Sequence, residues 1–101
     1  MFIPDERILR RILKLAIAGT RGGASRLKLL LLLAERPRNT NEIATELAVD
    51  YKTAQYHVRV LLRSSLIVSS EKKYANAYQL APVLRANPAI IRDVADMGKR
   101  R

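Results

Sequence analysis

EIATELAVDYKTAQYHVRVLLRSSLI, residues 42–67, is the stretch on which the fold turns. It reads as two helices joined by a tight turn, with Asp50 placed to cap the second, which runs from about Tyr51 to Ser64. At about 100° per residue, Lys52, Gln55, Tyr56, Arg59 and Arg63 fall in one arc of that second helix. Ala54, Val58 and Leu61 point the opposite way. The apolar arc anchors the helix, and the cationic, aromatic arc is left to face a partner.

Upstream, Asn39-Thr40-Asn41-Glu42 offers a capping residue with an acid three positions on, the signature of a helix start. The helix it opens runs to about Ala48 and buries Ile43, Ala44 and Leu47. Pro37 stops the helix before it, Ala24 to Glu35, which is apolar nearly all round through Leu27 and Leu29–Leu33 and belongs at the centre of a core. Gly19–Gly23 is a loop. Ahead of that loop, residues Asp5 to Ala18 place Ile8, Leu9, Ile12, Leu13, Ala16 and Ile17 on one side and Arg7, Arg10, Arg11 and Lys14 on the other, an amphipathic helix with acids at its N-terminal end. Downstream, Leu66–Ser70 and Asn76–Leu80 read as two short strands around the charged tip Glu71–Ala75, a hairpin. Pro82 opens a terminal helical stretch, interrupted at Asn87-Pro88, in which Ala89, Ile90, Ile91, Val94, Ala95 and Met97 supply a further apolar face. The tail Gly98–Arg101 is expected to fray.

A length of 101 residues suits one small domain with a single modest core. Against 9 Asp and Glu stand 19 Lys and Arg, a formal net charge of +10, which favours a polyanionic partner. The excess divides into +4 over residues 1–35, +3 over 36–79 and +3 over 80–101, so it is spread along the chain. With no cysteine, disulfides, zinc fingers and thiolate metal sensing are excluded, and a reducing compartment fits. The apolar run Leu29–Ala34 is far shorter than the roughly 20 residues that span a bilayer. Asp5 and Glu6 stand where a signal peptide would carry positive charge. The expectation is a soluble, cytoplasmic, nucleoid-associated protein with no membrane partner.

Helix, helix, turn, helix, hairpin in this order is a winged helix-turn-helix, mainly α with a small antiparallel β-hairpin. ELAVDYKTAQYHVRVLLRSSLIV resembles the ArsR-like winged-helix transcriptional regulators, particularly the small archaeal versions, over roughly residues 24–80. The parts that carry the likeness are the alanine-leucine end of the third helix, Asp50, the His57-Val58 pair, Leu61, and Leu66-Ile67 where the hairpin opens. The resemblance implies that the fourth helix lies in the major groove of double-stranded DNA and that the wing straddles a neighbouring backbone. Two departures stand out. Ser65 occupies a position where the family commonly has glycine, so either it bears a left-handed cost of ~1 kcal/mol or the fourth helix ends differently. Metal-sensing members use Cys and His clusters, whereas this chain has no Cys and one His, so no metal role and no cofactor are expected.

The expected DNA-binding set begins with Tyr51, Lys52, Thr53, Gln55, Tyr56, Arg59 and Arg63 on the fourth helix. Lys52 and Arg59 are placed for guanine edges or phosphates, against the ordinary fate of surface charge, a solvated face. Gln55 is the best base reader, since an amide pairs in bidentate fashion with adenine, and Tyr56 suits a phosphate or a thymine methyl. Thr53, in the first turn, either meets a phosphate together with free backbone N–H groups or simply assists the cap. His57 lies beside the buried arc and reads as a packed histidine bonded to backbone. Lys72 and Lys73, with Tyr74 and Asn76 beside them, are set to grip phosphates or a minor groove, although lysines at a turn also keep hairpins soluble. Arg36 and Arg38, flanking Pro37, are candidate phosphate anchors.

No Gly-rich phosphate loop, paired acids, nucleophile with a base, or metal-ligand spacing is present, so no catalysis is expected. The reading is a sequence-specific transcriptional regulator, a repressor by occlusion. Residues 1–23 form a dimerisation arm, 24–81 the DNA-binding domain and 82–101 a C-terminal helix with a basic tail. The apolar faces of the first helix and of Ile90 to Met97 exceed what a three-helix core needs, which predicts a homodimer paired through them. The alternatives are an architectural, chromatin-like DNA binder, supported by the spread of charge, a winged-helix protein-interaction adaptor, and a membrane-surface role for the first helix.

Overall fold

The computed structural model describes residues 5–18, 20–70 and 76–99. Along these run α1 (Glu6–Ile17), α2 (Gly23–Glu35), α3 (Thr40–Leu47), α4 (Tyr51–Arg63), β1 (Ile67–Ser69), β2 (Tyr78–Leu80), α5 (Pro82–Ala86) and α6 (Ala89–Lys99). This is the expected mainly helical winged helix-turn-helix with its antiparallel hairpin, and the helix boundaries lie within a residue or two of those read from the sequence.

Each start and stop has a local chemical cause. Asp5 Oδ1 accepts the Ile8 N–H at 2.9 Å and opens α1. Arg36, ahead of Pro37, is extended at φ −170°, ψ 161°, which ends α2, as the proline ring forces on the residue before it. Asn39 and Glu42 form the reciprocal capping box of α3, with Asn39 Oδ1 accepting the Glu42 N–H at 2.8 Å and Glu42 Oε1 accepting the Asn39 N–H at 3.0 Å. Ala48, left-handed at φ 56°, breaks α3 and turns the chain toward α4.

The end of α4 bears out the expected departure at Ser65. That residue sits at φ 59°; its N–H reaches the Leu62 carbonyl at 3.0 Å and the Leu66 N–H reaches the Leu61 carbonyl at 3.0 Å. Those two bonds and the left-handed residue make a Schellman closure, and the fully buried Leu61 and Leu66 form its apolar contact. The chain leaves directly into β1, which pairs antiparallel with β2 in the register Ile67↔Leu80, Val68↔Gln79, Ser69↔Tyr78. A further rung went unread in the sequence: Arg38, between α2 and α3, exchanges both main-chain hydrogen bonds with Tyr78, at 3.1 and 2.8 Å. The base of the wing is thereby tied to the helix-turn-helix.

One apolar cluster runs through the chain, from Leu9 and Leu13 of α1 through Leu29, Leu30 and Leu33 of α2, Ile43, Val58, Leu61, Leu66 and Leu80 to Ile90, Ile91 and Val94 of α6. The apolar faces of α1 and α6, expected to pair between two chains, are largely spent within one chain, because the two helices pack on each other and on α2. Arg10, on the polar side of α1, bridges the same pair, 3.5 Å from Glu6 and 3.6 Å from Asp93. What remains outside is smaller: Ile8, Leu15 and Met97 are exposed.

Candidate nucleic-acid interface

The docking of α4 sets the site. Ala54, His57, Val58 and Leu61 are buried, so the helix is held by one side only. Tyr51, Lys52, Thr53, Tyr56, Arg59 and Arg63 are exposed and Gln55 is half-buried. The expected outward arc is therefore outward. Two large aromatic side chains, Tyr51 at 49% and Tyr56 at 57% exposure, lie among three cations with no acid in the helix. A solvent-facing patch of this composition is suited to a phosphate-bearing, flat-ringed partner.

The N-cap of α4 is itself a carboxylate. Asp50 Oδ1 accepts the Thr53 N–H at 2.8 Å, and the Thr53 hydroxyl and then that N–H hold its carboxyl below the ordinary carboxylate range. Of the two roles open to Thr53, capping is the one its contacts display. At the other end of the motif, the Asn39 N–H and then Arg36 hold Glu42 low, with Arg36 Nη1 3.3 Å from Glu42 Oε2. Arg36 remains exposed.

Arg38 corrects its expected role. It is buried, its guanidinium lying 3.0 Å from Glu35 and 3.6 Å from Glu46. A charge already engaged by two carboxylates on α2 and α3 is withdrawn from any phosphate; Arg38 serves instead as the clamp beside the Tyr78 rung. Asn76, at the base of the hairpin, is exposed at φ 39°. Lys72, Lys73 and Tyr74 lie outside the described residues.

His57 is packed, as read, but its partner is a side chain and not the backbone: Nδ1 lies 3.2 Å from Nη1 of Arg26. Burial, and then the Arg26 charge, push its pKa below the ordinary 6.5. Arg26 is the residue that the sequence reading missed. A lone arginine at the start of an apolar helix suggests a surface position, yet its spacing from Leu29, Leu30 and Leu33 (i+3, i+4, i+7) puts it on the buried stripe of α2, where it is found. Among the described residues, no group of three or more His, Cys, Asp or Glu is arranged to hold a metal ion, and no helix is long and apolar enough to cross a membrane.

Residues 24–69 match the family described as bacterial regulatory protein, arsR family. No functionally curated protein matches the chain. Among solved structures, the chain is similar to the homodimeric winged helix-turn-helix DNA-binding domain of a possible ArsR-family transcriptional regulator from Mycobacterium bovis, with 23% identity and a TM-score of 0.68 over 95% of this chain and 90% of that one. It is similar also to Rv0081 of Mycobacterium tuberculosis, with 21% identity and a TM-score of 0.65 over 94% and 93% of the two chains. A mutant of Lactococcus lactis ZitR gives 18% identity and a TM-score of 0.61 over 93% of this chain and 73% of that one. At these identities the structural likeness establishes the fold.

Proposed function

From the match of residues 24–69 to the arsR family of bacterial regulatory proteins, we propose that the chain is a sequence-specific, double-stranded-DNA-binding transcriptional regulator that represses by occluding its site. Family and fold are those of DNA-binding transcription regulators, which are not enzymes. The observation that carries the proposal is the one-sided burial of α4: its apolar side is docked and its Lys52, Tyr56, Arg59 and Arg63 side is free. In this reading α4 enters the major groove, Gln55 and Arg59 meet base edges, and Tyr51, Lys52, Thr53, Tyr56 and Arg63 fix the helix on the backbone. Lys72, Lys73, Tyr74 and Asn76 form the wing's grip on a neighbouring backbone, and residues 24–81 act as the DNA-binding unit.

The active form is a homodimer on the nucleoid. The exposed Ile8 and Leu15 of α1 and Met97 of α6 support pairing through the terminal helices, and a structural neighbour is homodimeric. Two reading helices about 34 Å apart then face a pseudo-palindromic site on one side of the duplex. Selection of bound sequences from a random DNA pool tests the proposal, because it reports preference, half-site spacing and symmetry together. Gln55→Ala and Arg59→Ala should relax the preference, whereas Lys72→Ala with Lys73→Ala should weaken all duplexes alike and lower the salt slope by about 0.9 for each phosphate that is no longer neutralised. Equal losses on selected and random duplexes for every variant would refute this division of roles.

A second reading has its own support: Arg7, Arg11 and Lys14 on α1 are exposed cations away from α4, as an architectural binder would require. Competition by random duplex as effective as that by selected duplex would favour it.

A further inference from the structure

Arg26 is buried and makes contacts in three places. Its Nε donates to the Ala16 carbonyl at the end of α1 at 2.7 Å, and Nη2 donates to the Thr20 hydroxyl at 3.0 Å and the Arg21 carbonyl at 3.3 Å in the corner between α1 and α2. Nη1 faces Nδ1 of His57 on α4 at 3.2 Å. The cation sits where helix-end carbonyls favour it, but among the described residues it belongs to no ion pair. A guanidinium only donates, so Nδ1 of His57 must present its lone pair and the ring proton must sit on Nε2. A doubly protonated ring offers no lone pair and sets a second cation against the first.

We propose that Arg26 and His57 are positioning residues that couple the end of α1 to the reading helix α4, and that the coupling opens when the His57 ring takes up a second proton. The inference rests on the reading of α4 as the DNA-contacting helix. Among the described residues, Arg26 from α2, Gly22 from the corner and Tyr56 from α4, whose ring centre is 5.5 Å away, face the ring. None is a carboxylate that would accept the new charge. The corner also allows little swing, since a Cβ on Gly22 would lie 2.9 Å from His57 Cε1. The folded protein binds this proton less readily than the unfolded chain, so the pair's contribution to stability is complete above pH 6.5 and declines as pH falls through the ring's lower folded pKa. The sign is diagnostic. Added positive charge alone tightens binding to DNA on acidification, whereas loss of this coupling weakens it.

The test follows the free full-length protein by NMR from pH 7.5 to 4.5, with circular dichroism at each pH, and measures anisotropy of a fluorescein-labelled duplex recovered by random-pool selection. The amides of Gly22 and of Tyr51–Arg63 should shift together with the His57 ring. Affinity should fall up to about tenfold for each pH unit below that midpoint. His57→Gln, which keeps an acceptor for Arg26 but cannot titrate, should abolish both effects. Should it fail to fold, Arg26→Met serves: its His57 should titrate without moving α4. Reading-helix amides that stay still while the wild-type ring titrates would overturn the coupling. Retained acid-side loss of affinity in His57→Gln, or global loss of helix over the same range, would do so equally. Coupled shifts without binding to any duplex would uphold the coupling and sink the functional reading instead.

Discussion

Replacing Ser65 with glycine should stabilise the protein, and the size of the gain follows from the geometry at the end of α4. Ser65 stands at φ 59°, where a residue with a Cβ bears about 1–2 kcal/mol. Glycine removes that cost, but its freer unfolded chain returns about 0.4–1 kcal/mol. The side chain is exposed and both closing bonds are main-chain, so the substitution removes no packing and no helix-ending hydrogen bond. The net gain is about 0.5–1 kcal/mol, or roughly 2–8 °C in Tm for a domain of this size. Asparagine tolerates the left-handed region and valine does not, so Tm should rank Gly, Asn, Ser, Val from highest to lowest. Thermal melts at one fixed protein concentration, as the proposed dimer requires, with urea midpoints as a second measure, decide the matter. A glycine variant at or below the wild-type Tm, or a valine variant equal to serine, would refute the reasoning.

Three other outcomes are expected. Gly23→Ala should cost about 1–3 kcal/mol in urea unfolding, because a Cβ there collides with the Ile17 carbonyl, a main-chain atom that cannot swing aside; a neutral result would mean that α1 ends less firmly against α2 than described. Leu15→Glu, at a position 70% exposed, should leave helix content intact and convert a micromolar dimer to monomer in sedimentation; an unchanged dimer would exclude this face of α1 from the seam. The double change Glu35→Gln with Glu46→Gln should destabilise more than Arg38→Met, by about 1–3 kcal/mol, since the first strands a buried cation and the second removes it. The opposite order in urea midpoints would show that the guanidinium itself carries the stability.

The sequence was most readable where one short period or one local cap governs. The two faces of α4 follow from spacing alone, and Asn39 with Glu42 announces the start of α3 from within four residues. The left-handed Ser65 was legible only because a family commonly places glycine there. What escaped were charges whose partners lie far along the chain. Arg26 meets His57 across 31 positions, and Arg38 pairs through its main chain with Tyr78 across the helix-turn-helix. Nothing local separates an arginine destined for such a berth from a solvated one, save that Arg26 keeps step with Leu29, Leu30 and Leu33. The fate of the α1 and α6 faces escaped for a related reason. Amphipathic pattern says that a face must be covered, and not whether its own chain or a second one covers it.

The single apolar cluster also decides what can be transplanted. A fragment cut to residues 24–69 would be a bowl without its lid, with Leu29, Leu30 and Leu33 stripped of the α1 and α6 side chains that share their cluster. On the proposed reading of α4, retargeting to a new operator is therefore a matter of repainting its outer row, Lys52, Gln55, Tyr56, Arg59 and Arg63, on an undisturbed chassis.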